Sequence, residues 1–174
     1  ADPAETIVTP GSGSTRRQFV AFYESMGPRT HLGWGKSHGL GAGLGLIIGA
    51  KLAAPDKFAV NFMGDAAFGM TGLDFETAVR SKIPILTVVF NNSMLAGEDT
   101  GNPTSHRLYG TADMTGDYAD MAAAMGGWTE RVEDPAEIAS AISRAKRATE
   151  DGQAALLEFI TAKDPRASHA GAFS

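Results

Sequence analysis

The sequence predicts an α/β domain of three layers built on a mostly parallel sheet. Three observations carry this. Short β-branched or apolar runs alternate with helical stretches along most of the chain. The runs are continuously apolar, as strands covered on both faces must be. Two successive runs also stop at polar pairs, Gly64-Asp65 and Asn91-Asn92, where a parallel sheet presents its carboxyl edge.

Taken in order, residues 1–13 read as a linker, because Thr9-Pro10-Gly11-Ser12-Gly13-Ser14 is rich in turn formers. Ser14 is placed to cap a helix running to about Met26, with Phe19, Phe22 and Tyr23 on one face. A glycine-rich stretch from Thr30 to Gly45 becomes helical until about Ala54, ahead of Pro55. The run 58–63 is a strand ending at Gly64-Asp65, and a helix over 73–82 buries Phe75, Ala78 and Val79. The run 83–90 is strongly β-branched and ends at Asn91-Asn92. Beyond a polar loop follow a helix over 118–125, a strand over 128–132, a helix over 135–149 and a strand over 155–161. Pro135 suits a first helical position. Residues 1–174 thus form one domain, with no internal repeat.

Composition excludes several classes of function. The net charge of −5 comes without a cluster of Lys and Arg, so no nucleic-acid surface is expected. The absence of cysteine excludes disulfides, zinc-thiolate sites and thiol nucleophiles. The longest apolar run, 44–48, is too short to span a bilayer, and the acidic residues 1–5 do not read as a signal peptide. A cytoplasmic protein is expected.

The two polar pairs carry the chemistry. Strands joined by one helix are parallel and usually adjacent, so both pairs fall on one sheet edge. Neighbouring strands lie about 4.8 Å apart, and a carboxylate from Asp65 and an amide oxygen from Asn92 could share one small cation. Magnesium suits such hard oxygen ligands, since it keeps few protein groups beside substrate phosphates. The bland alternative is that each pair is only a turn.

Gly64-Asp65-Ala66-Ala67-Phe68-Gly69, the helix after it and Asn91-Asn92 resemble the motif of thiamine-diphosphate-dependent enzymes, which runs from Gly-Asp-Gly to a pair of asparagines. The resemblance covers nearly the whole chain. It is similar to the C-terminal pyrophosphate-binding domain of the acetolactate synthase, benzoylformate decarboxylase and oxalyl-CoA decarboxylase group. The resemblance implies thiamine diphosphate and Mg2+ as cofactors, with the metal on Asp65, Asn92 and the Met94 backbone carbonyl. It implies that the backbone at Gly64, Ala66 and Ala67 holds the diphosphate, although Ala66 replaces the usual third glycine. It further implies that Leu40, next to Gly39, props the cofactor in its bent form, and that the His38 carbonyl meets the pyrimidine amino group.

The activating glutamate of such enzymes belongs to a pyrimidine-binding domain that no segment here resembles. The resemblance therefore implies a fragment or subunit of a larger enzyme, a homodimer or tetramer when complete, acting on a small molecule. That substrate would be a 2-keto acid or acyl donor, used in carboligation or decarboxylation, with an oxalyl-CoA decarboxylase-like C–C lyase as alternative. The loop 95–115 departs from the acetolactate synthase pattern. A catalytically silent scaffold is the non-enzymic alternative. Gly35-Lys36-Ser37 copies the tail of a P-loop, but Thr30 stands where that motif needs glycine. His31 and His38 fall near the proposed cofactor edge as candidate substrate contacts, His106 and His169 carry no assigned role, and Arg144, Lys146 and Arg147 read as a solvated helix face.

Overall fold

A computed structural model describes residues 2–33, 39–95 and 97–163. Five strands form one sheet: β1 (Thr6–Pro10), β2 (Phe58–Gly64), β3 (Leu86–Asn91), β4 (Trp128–Val132) and β5 (Ala155–Ile160). Their order is β1-β2-β3-β5-β4, and every pairing is parallel. The helices are α1 (Ser14–Phe22), α2 (Ala42–Ala53), α3 (Asp65–Thr71), α4 (Asp74–Arg80), α5 (Glu98–Gly101), α6 (Pro103–Tyr109), α7 (Tyr118–Ala124) and α8 (Ile138–Glu150).

Connection handedness sorts these helices onto two faces. The chain advances from β1 through β2 to β3, jumps to β4 at the far edge, and returns to β5. Right-handed crossovers in opposite directions put their helices on opposite faces. One face accordingly buries Leu44 and Ile47 of α2, Phe68 of α3, Phe75 and Ala78 of α4, and Tyr118 and Ala122 of α7. The other packs Val60, Val88 and Leu157 of the sheet against Ala141, Ala145 and Ala148 of α8; Phe19 of α1 also packs there, although α1 shares its crossover with α2 and so does not follow this rule. Those three alanines recur at the helical period, and their small side chains let α8 lie close to the sheet.

Three expectations need correction. Residues 1–13 are not simply a linker, because Thr6–Pro10 is a buried strand paired with β2. Its outer side is paired too: the Val8 N–H donates to the Thr30 carbonyl at 2.8 Å and the Leu32 N–H to the Val8 carbonyl at 2.9 Å. The turn formers that suggested a linker lie at the exit of this strand, where Pro10 ends it, a position that tolerates proline. Phe22 is 84% exposed rather than sharing a buried face with Phe19 and Tyr23, since α1 ends there. The loop 95–115 contains the short helices α5 and α6, with Pro103 at a first-turn position of α6. Gly97, Gly101 and Gly110 interrupt any helical period long enough to be read from the sequence.

Among the glycines before the motif, Gly41 is the one the backbone demands. It opens α2 at φ +86°, and a side-chain carbon there would lie 2.4 Å from the Thr71 side chain. The Thr71 hydroxyl in turn donates to the Gly41 carbonyl at 3.2 Å, tying the start of α2 to α3. Gly41→Ala should cost about 1–3 kcal/mol by strain and overpacking, seen as a melting temperature lower by roughly 2–12 °C. Gly45→Ala is the control: the position is open, in the first turn of α2, and the loss of a helical glycine should leave stability equal or higher.

Candidate functional site

The carboxyl ends of β1, β2, β3 and β5 converge on one cleft of about 290 Å3. Ser12, Gly13, Ser14 and Thr15 enter from the end of β1, Asp65, Ala66 and Ala67 from the end of β2, and Asn92, Met94 and Leu95 from the end of β3. Thr161 and Ala162 follow β5, and Leu40 closes a further side. The structure therefore brings together seven of the expected residues: Leu40, Gly64, Asp65, Ala66, Ala67, Asn92 and Met94. Gly39 is exposed and is not in the cleft wall, while its carbonyl accepts from the Ala42 N–H at 3.4 Å. His38 lies outside the described residues, as do Gly35, Lys36 and Ser37 of the P-loop-like segment.

Asp65 and Asn92 meet through one donor. The Met94 N–H lies 3.2 Å from Asp65 Oδ2 and 3.1 Å from Asn92 Oδ1, so both side-chain oxygens point to the same small volume. The other carboxylate oxygen, Oδ1, accepts from the Ala66 N–H at 2.8 Å. This refines the expected role of Ala66, whose N–H is engaged by the carboxylate. Met94 is itself held by an antiparallel bridge to Asp113, flanked by the Leu95 N–H on the Ala112 carbonyl and the Met114 N–H on the Ser93 carbonyl.

Asp65 is only 2% exposed, and among the described residues no cationic side chain pairs with it. Burial pushes its carboxyl above the usual aspartate range, an effect opposed by hydrogen bonds from the backbone of Ala66, Met94 and Ser93. A buried, unpaired carboxylate is costly, and a divalent cation is the natural compensation. No Lys, Arg or His among the described residues lines the cleft. An anion could share it with Asp65 only if a cation came too. Among the described residues no group of three His, Cys, Asp or Glu side chains could hold a metal ion, so a metal here would need amide, carbonyl and phosphate oxygens beside Asp65. The donors present thus fit magnesium with a diphosphate.

Sequence reasoning missed two parts of this site. Ser12 and Gly13 were hidden in the supposed linker, and Ser14 and Thr15 were read only as the start of a helix, although a strand ending in turn residues before a helix was the available signal. Behind the cleft, buried Glu158 on β5 accepts from Asn91 Nδ2 at 2.6 Å and from the Ala119 N–H at 3.0 Å. A lone glutamate in an apolar run marks such a residue only once the sheet order is known. Tyr118 packs edge-on against Phe68 nearby, and its hydroxyl is held above its ordinary pKa by burial and by the charges of Asp65 and Glu158.

Comparison with known proteins shows the family and the fold. Residues 11–159 match the family described as "Thiamine pyrophosphate enzyme, C-terminal TPP binding domain". A 2-hydroxyacyl-CoA lyase of Oryza sativa subsp. japonica is 33% identical, over 84% of this chain and 26% of its own length. A mitochondrial acetolactate synthase catalytic subunit of Aspergillus candidus is 33% identical over 91% of this chain and 23% of its own length. A sulfoacetaldehyde acetyltransferase of Alcaligenes xylosoxydans xylosoxydans is 28% identical over 94% and 28% respectively. The solved Rhodococcus jostii RHA1 thiamine diphosphate-dependent 4-hydroxybenzoylformate decarboxylase shares the fold, with a TM-score of 0.73 at 24% identity, over 93% of this chain and 30% of its own. The chain spans about a quarter of the length of the curated relatives it matches. Among the described residues, no helix is long and apolar enough to cross a membrane. By its strand-end motif, its cleft and this match, the chain belongs to the thiamine pyrophosphate enzymes, as their C-terminal TPP-binding domain.

Proposed function

We propose that this domain holds the diphosphate and magnesium end of thiamine diphosphate in an enzyme that acts on 2-keto acids or acyl donors. The observation that carries this is the convergence of Asp65 Oδ2 and Asn92 Oδ1 on one N–H, in a cleft whose described lining contains no basic side chain. Asp65 and Asn92 would hold the metal with the Met94 carbonyl, and the metal would supply the positive charge the diphosphate needs. Leu40 would orient the bent cofactor by apolar contact, since it lines the same cleft. When bound, thiamine diphosphate supplies the carbanion chemistry, while the protein orients it and shields it from water.

The cleft volume of about 290 Å3 is at the small end for a complete ligand site, about 300–1,000 Å3. A pyrimidine-binding domain or partner subunit completing the pocket, and bringing the activating glutamate, fits that size. Carboligation or decarboxylation like that of acetolactate synthase is the principal reading. A C–C lyase acting on an acyl-CoA, in the manner of oxalyl-CoA decarboxylase, is the second, favoured by the 33% identity to a 2-hydroxyacyl-CoA lyase.

Calorimetric titration with thiamine diphosphate, with and without Mg2+ and beside ATP, tests the central claim. Binding that requires Mg2+ and is not seen with ATP supports it, and equal binding of ATP would refute it. The 174-residue chain should show no turnover of pyruvate by itself, and adding a pyrimidine-binding domain should restore it. Turnover by this chain alone would show that an acid–base residue here does the work assigned to the glutamate.

A further inference from the structure

We propose that Glu158 is a positioning residue for the metal loop, acting through Asn91; this rests on the reading that Asp65 and Asn92 hold magnesium. Glu158 sits in the middle of β5, opposite Val89 of β3 and Arg131 of β4, and is fully buried. A carboxylate in that position needs both oxygens satisfied. One takes Asn91 Nδ2 at 2.6 Å, and the other takes the Ala119 N–H at 3.0 Å, with Arg131 approaching to 4.0 Å from the exposed side. If Glu158 only anchored β5 to the start of α7, the Ala119 bond would suffice.

The Asn91 bond leads elsewhere. With its amide nitrogen fixed by Glu158, the Asn91 oxygen must face the next turn, where it accepts from the Ser93 N–H at 2.9 Å and lies 3.3 Å from the Ser93 hydroxyl. Ser93 is one of three non-glycine residues with positive φ among the described residues, at +53°. A left-handed serine persists only where its surroundings hold it. That turn aims the Met94 N–H at Asp65 and Asn92 together. A continuous relay therefore runs from Glu158 through Asn91 and Ser93 to the proposed metal ligands, without Glu158 touching the cleft.

The donor pattern supplies a reciprocal test. Glu158 faces two donors, so glutamine in its place can satisfy only one of them. If that glutamine accepts from Ala119, its amide nitrogen opposes Asn91 Nδ2; Asn91 must then rotate its amide and oppose the Ser93 N–H. In Glu158→Gln combined with Asn91→Asp, the new amide can donate to the new carboxylate, whose second oxygen can still accept from Ser93. Net charge is unchanged. Two long contacts are not recovered, Asn91 Nδ2 to the Gly116 carbonyl at 3.4 Å and the Arg131 guanidinium to the Glu158 carboxylate at 4.0 Å.

The experiment is a Mg2+ titration of thiamine diphosphate binding, with amide hydrogen exchange at Ser93 and Met94 measured in EDTA. Glu158→Gln should raise the half-saturating Mg2+ concentration about 10- to 100-fold, as for other residues that orient a metal ligand, and speed exchange at both amides. The double variant should return both readouts to within about threefold of the parent, a recovery expected only of directly coupled residues. Unchanged Mg2+ dependence in a folded Glu158→Gln protein overturns the relay. So does a loss that the double variant fails to recover, which marks Glu158 as a fold anchor only. Should Glu158→Gln not fold, Asn91→Ser cuts the same relay from the strand side, and an unaltered Mg2+ titration there overturns the proposal. A parent protein with no Mg2+-dependent binding refutes the functional reading and the relay together.

Discussion

Asp65→Asn should abolish magnesium-dependent binding of thiamine diphosphate while leaving the fold intact. The substitution keeps the side chain's shape and one acceptor oxygen but removes the only carboxylate in the described cleft lining. Cofactor affinity at a fixed, low Mg2+ concentration should fall at least about 100-fold, above the range for residues that merely orient a ligand. Stability should move little. Asp65 is buried, not at an exposed edge, so the change has opposing terms. One of the two backbone donors, Ala66 or Met94, has to face the new amide nitrogen, which costs about 1–3 kcal/mol. Against this, the ionised carboxylate is disfavoured by burial. A group whose folded pKa is raised stabilises the fold most when protonated, and that contribution is lost as pH rises through the folded value. Wherever Asp65 is ionised without metal, the amide removes this penalty. A melting temperature in EDTA within about 6 °C of the parent, together with lost Mg2+ dependence, is the expected pair of results. Unchanged cofactor affinity would refute the ligand assignment.

Leu40→Ala should separate affinity from orientation. Leu40 reaches the cleft just before the left-handed turn at Gly41, and Thr71 ties that turn to α3, the helix that begins with Asp65. Its position relative to Asp65 is therefore set by packing, not by a flexible loop. Truncation removes several apolar contacts but no ligand to the diphosphate or metal. Binding should weaken by about tenfold or less, since burying one side chain is worth about 1.5–3 kcal/mol and only part is lost. Hydrogen–deuterium exchange at the cofactor's C2, measured in the complete enzyme at saturating cofactor, should slow by about 100-fold, as expected when reacting groups lose alignment. Exchange at the parental rate would make Leu40 an ordinary packing residue. The variant should also keep its Mg2+ titration midpoint, which distinguishes it from Asp65→Asn.

Much of the fold was legible because its signals are local. The runs before Asp65 and Asn92 are continuously apolar, and a doubly covered parallel sheet is the arrangement that hides both faces of such strands. Pro55, Pro135 and the strand-ending polar pairs punctuate the elements strongly enough to place most boundaries. Where the reading failed, local signals competed. Thr6–Pro10 has only a short β-branched core beside a cluster of turn formers, and its burial comes from pairing with β2 and with residues 30–32. The helices α5 and α6 are too short, and too interrupted by Gly97, Gly101 and Gly110, to show a period.

By itself the sequence determined the fold class, the parallel pairing of the strands that end at Asp65 and Asn92, and the kinship carried by the motif between them. These depend on residue type and spacing along the chain, which a linear reading sees directly. Only the tertiary structure decided which oxygens converge and what holds them there. Asp65 and Asn92 follow the second and third strands, while Ser12–Thr15 and Leu40 come from opposite ends of the long connection between β1 and α2. Glu158 lies 67 residues from Asn91 along the chain and 2.6 Å from it in space. That contact exists because β5 returns to lie beside β3 while β4 goes to the edge. No periodicity encodes this order, since it is set by the handedness of the crossovers and by the burial of both sheet faces at once.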